Sequence, residues 1–148
     1  MNTLIVEDTP QYGSAMERAL HQFGHQSRLA LSAEAALEII QQEKFDCALV
    51  DYLLPGIDGL DFVREIRRLG HETGIVMITG ENRTSVDKQI EANLDVWATL
   101  YKTATPKTID EKLRESCEFM KLSGGQRKRI LLGLDREIAE ARKLTKKH

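Results

Sequence analysis

The chain has 148 residues, of which 41% are hydrophobic and 30% charged, and its formal net charge is −2. This length fits one compact domain with at most a short appendage, and the composition excludes a wholly disordered or fibrous protein. No apolar run approaches the roughly 18 residues of a membrane span, and the acidic pair Glu7-Asp8 comes too early for a signal peptide, so we expect a cytoplasmic protein that does not enter a membrane.

Short apolar runs alternate with stretches of helical spacing along the chain. The runs lack strict polar alternation, as expected for strands covered on both faces, except for an edge-like run at 27–30. The predicted strands are 4–6, 27–30, 47–50, 75–78 and 97–101, and apolar positions at helical spacing fall within 12–23, 33–40, 62–69, 86–90 and 109–120. Five strand–helix repeats predict an α/β fold with a parallel sheet, because parallel strands need crossover connections. Cys47 and Cys117 lie inside these patterns without metal-type spacing, so we expect reduced, structural thiols.

A polar residue of chemical interest follows four of the predicted strands. Glu7 and Asp8 follow the first, Asp51 follows the third, Thr79 the fourth and Lys102 the fifth. In open parallel sheets, binding sites form at the carboxyl ends of the strands. We therefore expect these five side chains to meet at one edge of the sheet.

Three carboxylates and one amine predict a particular chemistry for this edge. Neighbouring carboxylates repel by about 4 kcal/mol per pair at 4 Å and an effective dielectric of 20, so the cluster favours a divalent cation. An oxygen-only ligand set without His or Cys indicates Mg²⁺. Lys102 and Thr79 are suited to binding phosphoryl oxygens, and Asp51 is the best candidate for a nucleophile that forms an aspartyl phosphate.

At this point four segments carry a family resemblance: LIVED, ALVDYLLPGIDG, IVMITG and LYK. In order and spacing they resemble the receiver domain of two-component response regulators, across about residues 2–121. The resemblance implies a flavodoxin-like, doubly wound five-stranded sheet of order 2-1-3-4-5 and a phosphoacceptor signalling switch. It divides the chain into a receiver domain at 1–121 and a helical extension at 122–148, which serves dimerisation or links to an output module.

The same resemblance implies a role for each site residue. Glu7, Asp8 and Asp51 would hold Mg²⁺ together with the backbone carbonyl of Leu53. The phosphoryl group would pass to Asp51 from a phosphohistidine of a sensor histidine kinase or a histidine phosphotransfer protein.

Around the phosphoryl group, Thr79 would sense it and Lys102 would pair with it. Gly80 matches the small residue that leaves room for it. Slow hydrolysis would follow, and Glu81 stands where it could bias that step. The protein would act as a switch with slow autodephosphorylation rather than as an enzyme.

Two positions depart from the family pattern. Thr99 stands where receivers usually carry Tyr or Phe, three residues before Lys102, and strand alternation predicts Trp97 and Tyr101 on the same face. Thr103 stands where proline usually follows the lysine. These departures leave a second interpretation open, an interaction module with a receiver fold that does not switch by phosphorylation.

A third interpretation is a small Mg²⁺-dependent phosphatase with an aspartyl nucleophile. It is disfavoured because the Asp-x-Asp pattern expected around such a nucleophile is absent, with Leu53 in the second position.

The C-terminal segment differs from the rest in charge and pattern. Residues 1–101 carry 8 basic and 16 acidic residues, whereas residues 102–148 carry 13 basic and 7 acidic ones. Residues 122–126 match the signature of ATP-binding-cassette transporters, but the chain has no phosphate-binding loop of type GxxxxGK[ST], so we interpret the paired glycines as a helix stop and a new start. From 126 to about 146 the apolar residues recur at helical spacing. A helix with such an apolar face needs a partner surface to cover it.

Three partner surfaces remain open for this helix: the preceding helix, the same helix of a homodimer, or a following output domain. Basic residues 127–129 open the predicted helix, where they oppose the helix dipole, so the acidic body is an available partner for them. Nucleic-acid binding is not expected, since the basic cluster lacks interleaved aromatic residues and no helix-turn-helix unit fits.

Overall fold

Five parallel strands with helices on both faces make up the computed structural model, which describes residues 1–80 and 88–133. The strands are β1 (Asn2–Val6), β2 (Gln26–Ala30), β3 (Cys47–Asp51), β4 (Gly74–Thr79) and β5 (Val96–Tyr101). The helices are α1 (Pro10–His21), α2 (Ala33–Gln42), α3 (Gly59–Arg68), α4 (Lys88–Asn93), α5 (Pro106–Met120) and α6 (Gly124–Leu131). The strand order β2-β1-β3-β4-β5, with every pairing parallel, confirms the predicted flavodoxin-like sheet.

Two apolar layers sandwich the sheet. One packs α2 and α3 against one face around Phe62 and Ile66, and the other packs α1 and α5 against the opposite face around Leu20 and Leu113. Every residue of β3 and β4 is buried, which explains why these central strands show no polar alternation in the sequence. Within residues 1–80 and 88–133, no helix combines the length and the apolar character needed to cross a bilayer.

Local sequence fixes where the helices begin. Ser32, Asp58 and Thr105 cap α2, α3 and α5, and each side chain accepts a hydrogen bond from a backbone amide of the first turn. Caps of this kind stabilise a helix by about 1 kcal/mol each. Pro10 and Pro106 lie in the first turns of α1 and α5. Backbone N–H groups have no acceptor within the helix there, so the missing N–H of proline costs no hydrogen bond. All four of these helices start where the chain leaves the carboxyl edge of the sheet, on the side of the predicted site.

The structure corrects one expectation about β5. The pairing with β4 shifts register between Ile75 and Val76, which face Val96 and Ala98, so Trp97 is an extra residue in the strand. The Trp97 ring therefore lies against Phe119 of α5, with 4.9 Å between ring centroids, and not beside Thr99 as strand alternation predicts. A bulge of this kind has no marker in the sequence.

The C-terminal helix α6 packs on the body of the same chain. It begins at Gly124 rather than at Gln126, because Ser123 and Gln126 form a reciprocal capping box that includes both glycines in the first turn. Ile130 of α6 is buried against Trp97. Arg127 lies 3.2 Å from a carboxylate oxygen of Asp95, which matches the expected acidic partner for the basic cluster. At its other end α6 stops at Leu131, where Leu132 caps it and Gly133 follows at a φ of 69°, so the continuous helix predicted from 126 to about 146 is wrong at this point. Residues 134–148 lie outside the described residues.

At the amino edge of the sheet, a buried hydrogen-bond chain joins β1 to α5. His25 Nδ1 lies 2.7 Å from the hydroxyl of Thr3, and Nε2 lies 2.6 Å from Asp110 Oδ1. Because an ionised carboxylate can only accept, Nε2 carries the hydrogen and Thr3 donates to Nδ1. Burial lowers the pKa of His25, and the bond to Asp110 opposes this shift. The imidazole is thus held neutral, far from the predicted site.

The two cysteines lie near this amino edge and form no disulfide. Cys47 is buried, and the half-buried Cys117 has its sulfur 3.4 Å from that of Met1.

Candidate functional site at the carboxyl edge of the sheet

The five side chains expected to meet do lie at one edge of the sheet. Glu7 and Asp8 follow β1, Asp51 ends β3, Thr79 ends β4 and Lys102 follows β5. Adjacent strands carry them, since β1 pairs with β3, β3 with β4 and β4 with β5. The sheet topology therefore brings together residues separated by up to 95 positions in the chain.

One oxygen from each of Glu7, Asp8 and Asp51 lies within 4.8 Å of the other two. The oxygens of an octahedral Mg²⁺ shell with bonds of about 2.1 Å stand roughly 3 to 4 Å apart, so the cluster needs only a small closure to bind this ion. Glu7 and Asp51 are buried and Asp8 is exposed, which leaves one side open to water. Water on that side suits Mg²⁺, which keeps several of its own waters.

Lys102 bridges two of these carboxylates. Its Nζ lies 2.9 Å from Asp51 Oδ2 and donates to Glu7 Oε1 at 3.0 Å. The ammonium also sits 4.7 Å from the ring centre of Tyr12, a cation–π contact. Burial opposes the charge on Lys102, but its hydrogen bonds to Asp51 and Glu7 outweigh burial and raise its pKa.

Backbone hydrogen bonds position this lysine although Thr103 replaces the usual proline. The Lys102 amide donates to Thr79 O at 2.8 Å, and the Ala104 amide donates to Tyr101 O at 2.9 Å. Lys102 thus reaches Asp51 with threonine at the next position.

The site holds more negative charge than Lys102 neutralises. Among the described side chains, three carboxylates face one ammonium, and burial together with hydrogen bonding to Asp51 raises the pKa of Glu7 to about 7, against the opposing effect of Lys102. Glu7 Oε2 lies 3.0 Å from Lys102 Nζ, yet among the described residues it has no partner with hydrogen-bond geometry. Either a proton or a cation relieves this excess charge, and the donor set suits a hard divalent cation.

Thr79 presents a buried hydroxyl with no hydrogen-bond partner among the described residues. An unsatisfied buried polar group costs about 1 to 3 kcal/mol, so a ligand oxygen bound here would recover that free energy. Next to it, a Cβ added to Gly80 would meet no described atom within 4 Å. The end of β4 therefore offers a donor and open space, as expected for a phosphoryl group beside Asp51.

Two contacts orient the Asp51 carboxylate and the backbone behind it. Its Oδ1 accepts from the Leu53 amide at 3.0 Å, while the Leu53 side chain is 71% exposed. Behind Asp51, the first turn of α3 approaches so closely that a Cβ on Gly59 would lie 2.1 Å from the Asp51 carbonyl oxygen. Only glycine fits there without displacement. The proposed role of the Leu53 carbonyl stays a prediction, and Glu81 lies outside the described residues.

Sequence reasoning missed three contributors to this edge. The contact of the Tyr12 ring with the Lys102 ammonium has no signal in the sequence. The close approach at Gly59 could have been predicted, because this glycine lies in the turn after Asp51. The third is a network around Glu91 of α4, whose Oε1 accepts from the hydroxyl of Thr99 at 2.8 Å and also from the hydroxyl of Tyr52. Thr99, at the position where receivers usually carry an aromatic residue, thus bonds to α4 instead.

A family model described as a response regulator receiver domain matches residues 3–114. The transcriptional regulatory protein AfsQ1 of Streptomyces coelicolor is 30% identical over 113 residues, which cover 75% of this chain and 48% of AfsQ1. TcrA of Mycobacterium tuberculosis, also named a transcriptional regulatory protein, is 33% identical over 108 residues, which cover 73% of this chain and 41% of TcrA. The chain thus spans less than half the length of these relatives.

Solved structures give the same assignment of the fold. A CheY-like receiver domain from Methanospirillum hungatei JF-1 superposes with a TM-score of 0.73 at 25% identity, covering 81% of this chain and 95% of that one. A response regulator from Chloroflexus aurantiacus J-10-fl superposes with a TM-score of 0.70 at 28% identity, covering 78% of this chain and 96% of that one. In both superpositions the matched region spans nearly the whole of the solved chain.

Proposed function

Because the chain belongs to the receiver domains of two-component response regulators, we propose that it is a switch in which Asp51 accepts a phosphoryl group from a phosphohistidine. One observation carries the proposal. The Asp51 carboxylate, buried at the end of the central strand, has the Lys102 ammonium at 2.9 Å, and the next strand ends in the buried hydroxyl of Thr79, which has no partner in the part of the chain that the structure describes. A nucleophile, a cation and a donor are the groups that phosphoryl transfer requires.

The proposed reaction is an in-line displacement at phosphorus. An Asp51 oxygen forms the new P–O bond as the N–P bond of the phosphohistidine breaks, and the imidazole leaves with its electron pair. Lys102 neutralises charge on the transferring group, and Thr79 donates a hydrogen bond to one of its oxygens. Glu7, Asp8 and Asp51, with the Leu53 carbonyl, would hold Mg²⁺, which supplies further neutralisation of the phosphoryl oxygens.

The finer predictions about partners and organisation belong to this proposal. The donor is a sensor histidine kinase or a histidine phosphotransfer protein. Residues 1–121 form the receiver and 122–148 the helical extension, which either dimerises or links to an output module. Light scattering of the full chain over a range of concentrations tests the homodimer, and a monomer throughout would contradict it. Cytoplasmic location, slow autodephosphorylation and the absence of nucleic-acid binding stay predictions.

The decisive experiment is intact mass after incubation with a small phosphodonor and Mg²⁺. We expect a single phosphoryl addition that persists, is lost in Asp51→Asn and is retained in the control Asp61→Asn, since Asp61 is an exposed residue of α3. An addition that survives Asp51→Asn would refute the assignment of the acceptor. Rapid multiple turnover of the donor would favour the phosphatase interpretation.

An interaction module that does not switch is the second candidate. The observation that favours it is Thr99, which binds Glu91 where the family usually carries an aromatic residue. No mass addition under any donor or Mg²⁺ concentration would support this module and refute the switch.

A further inference from the structure

Tyr12, in the first turn of α1, places its aromatic ring beside the Lys102 ammonium. The Lys102 nitrogen lies 4.7 Å from the ring centre. The face of a neutral aromatic ring carries partial negative charge and attracts a cation at this distance. Burial raises the pKa of Tyr12 to about 12, against the opposing effect of Lys102, so the ring stays neutral. The Tyr12 hydroxyl is buried and has no hydrogen-bond partner among the described residues, so the ring makes the contact with the site.

The fold holds this ring in place. Tyr12 is half-buried and packs against the apolar layer that α1 and α5 form with the sheet. The start of α1 is tied to the site itself, because the Thr9 amide donates to Glu7 Oε1 at 3.1 Å. Lysine, in contrast, carries its charge on a flexible four-carbon stem. The ring therefore belongs to the rigid frame of the site, and the Lys102 ammonium depends on contacts with that frame for its position.

The described contacts of the Lys102 ammonium are of two kinds. It forms ion pairs with Asp51 at 2.9 Å and with Glu7 at 3.0 Å, and it lies against the Tyr12 ring. Both carboxylates are also proposed ligands of Mg²⁺, so their oxygens are less available to the ammonium when they face a metal. Two cations at such short range also repel each other. The Tyr12 ring is the described contact that does not compete with the metal.

We propose that Tyr12 is a positioning residue that keeps the Lys102 ammonium beside Asp51 when the carboxylates of the site bind Mg²⁺. This inference rests on the proposed function, since it adds a residue to the same reaction. Tyr12 acts through Lys102, which neutralises charge on the transferring phosphoryl group. An ammonium that is already in place when the phosphodonor arrives need not be ordered during transfer. Loss of the ring should therefore slow the reaction without abolishing it.

A double-mutant cycle in urea unfolding tests the contact in the absence of metal and phosphodonor. The four chains are the unsubstituted protein, Tyr12→Leu, Lys102→Ala and the double variant, all in EDTA. We expect Tyr12→Leu to lower the folding equilibrium constant roughly fivefold more when Lys102 is present than when it is absent, which is the scale of a cation–π contact. Equal effects in the two backgrounds would overturn the inference, because no free energy would then couple the ring to the ammonium.

The rate of phosphoryl addition tests the positioning role, with intact mass as the readout and a small phosphodonor at saturating Mg²⁺. Tyr12→Leu should accept the group roughly fivefold more slowly, whereas Tyr12→Phe, which keeps the ring, should recover most of the rate. Tyr101→Leu is the matched control, because it removes an exposed ring next to Lys102 in the chain. In calorimetry the Mg²⁺ affinity of Tyr12→Leu should stay within about twofold, since Tyr12 offers the metal no proposed ligand.

The outcomes separate this inference from the proposed function. If the unsubstituted chain gains a phosphoryl group and Tyr12→Leu gains it equally fast, the inference is overturned and the proposed function stands. If Tyr12→Phe is as slow as Tyr12→Leu, or if Tyr12→Leu loses most of its Mg²⁺ affinity, the effect does not come from the ring acting on Lys102 and the inference is again overturned. If the unsubstituted chain gains no phosphoryl group, both fail.

Discussion

Replacement of Lys102 by methionine tests the charge balance of the site most directly. The variant keeps the length and much of the apolar stem of the side chain but removes the Lys102 ammonium from the three carboxylates. The Lys102 nitrogen lies 2.9 Å from Asp51 and 3.0 Å from Glu7, and such pairs attract by about 5 to 6 kcal/mol each at an effective dielectric of 20. Desolvation offsets much of this attraction, and the Lys102 side chain is 28% exposed. We therefore expect a net loss of about 2 to 3 kcal/mol, below the range for removing one partner of a fully buried pair.

The pH dependence of this loss follows from Glu7. Its pKa is raised from 4.5 to about 7, so between these values the folded state holds a proton that the unfolded state has released, and stability falls as pH rises. Without Lys102 this window extends to higher pH. The penalty of Lys102→Met should be larger at pH 8 than at pH 6, where Glu7 takes up a proton and removes one charge.

Urea unfolding in EDTA at the two pH values measures both effects. Lys121→Met is the control, since Lys121 is 70% exposed and its ion pair with Glu118 contributes close to nothing. Added Mg²⁺ should restore part of the stability of Lys102→Met, because a ligand that binds only the folded state stabilises it. Equal stability of Lys102→Met and the unsubstituted chain at pH 8 in EDTA would refute the charge balance described for the site.

Three further predictions concern other parts of the molecule. Because the pKa of the buried His25 is lowered, the unfolded state binds a proton first as pH falls below about 6.5, and the free energy of unfolding drops there. His25→Gln should flatten that drop in urea titrations, whereas the control His21→Gln should not. An unchanged dependence of the unfolding free energy on pH in His25→Gln would contradict the neutral imidazole. Asp8→Asn should weaken Mg²⁺ binding by roughly tenfold or more in calorimetry with little change in metal-free stability, because Asp8 is exposed, and equal affinity would remove it from the ligand set. Ile130→Ala should cost about 2 to 4 kcal/mol in urea unfolding and shift the emission of Trp97, the one tryptophan of the chain, unless α6 does not pack as described.

The sheet and the strand-end residues were predictable because both follow from local patterns. Fully apolar runs mark central strands, and the residue after each run must lie at the carboxyl edge once the strands are parallel. Asp51, Thr79 and Lys102 could therefore be placed near one another without coordinates. Sequence could also foresee an acidic partner for the basic cluster, although not that Asp95 supplies it.

Features that depend on register or on distant side chains could not be predicted. Trp97 turns toward α5 because of a bulge in β5, and no residue type marks that bulge. The meeting of Tyr52, Glu91 and Thr99 joins three elements whose relative positions exist only after packing. In each case the sequence pattern is local, whereas the contact is decided by tertiary structure.

The two ends of the sheet differ in how firmly they are joined. At the amino end, Thr3, His25 and Asp110 connect β1, the start of β2 and α5 through short buried bonds. At the carboxyl end, within residues 1–80 and 88–133, Glu7 after β1 carries charge that Lys102 does not fully neutralise, and Thr79 at the end of β4 has a hydroxyl without a partner. Binding at the carboxyl end of the sheet can therefore rearrange the residues there while the amino end keeps its geometry. A local chemical event at Asp51 thus need not loosen the whole domain.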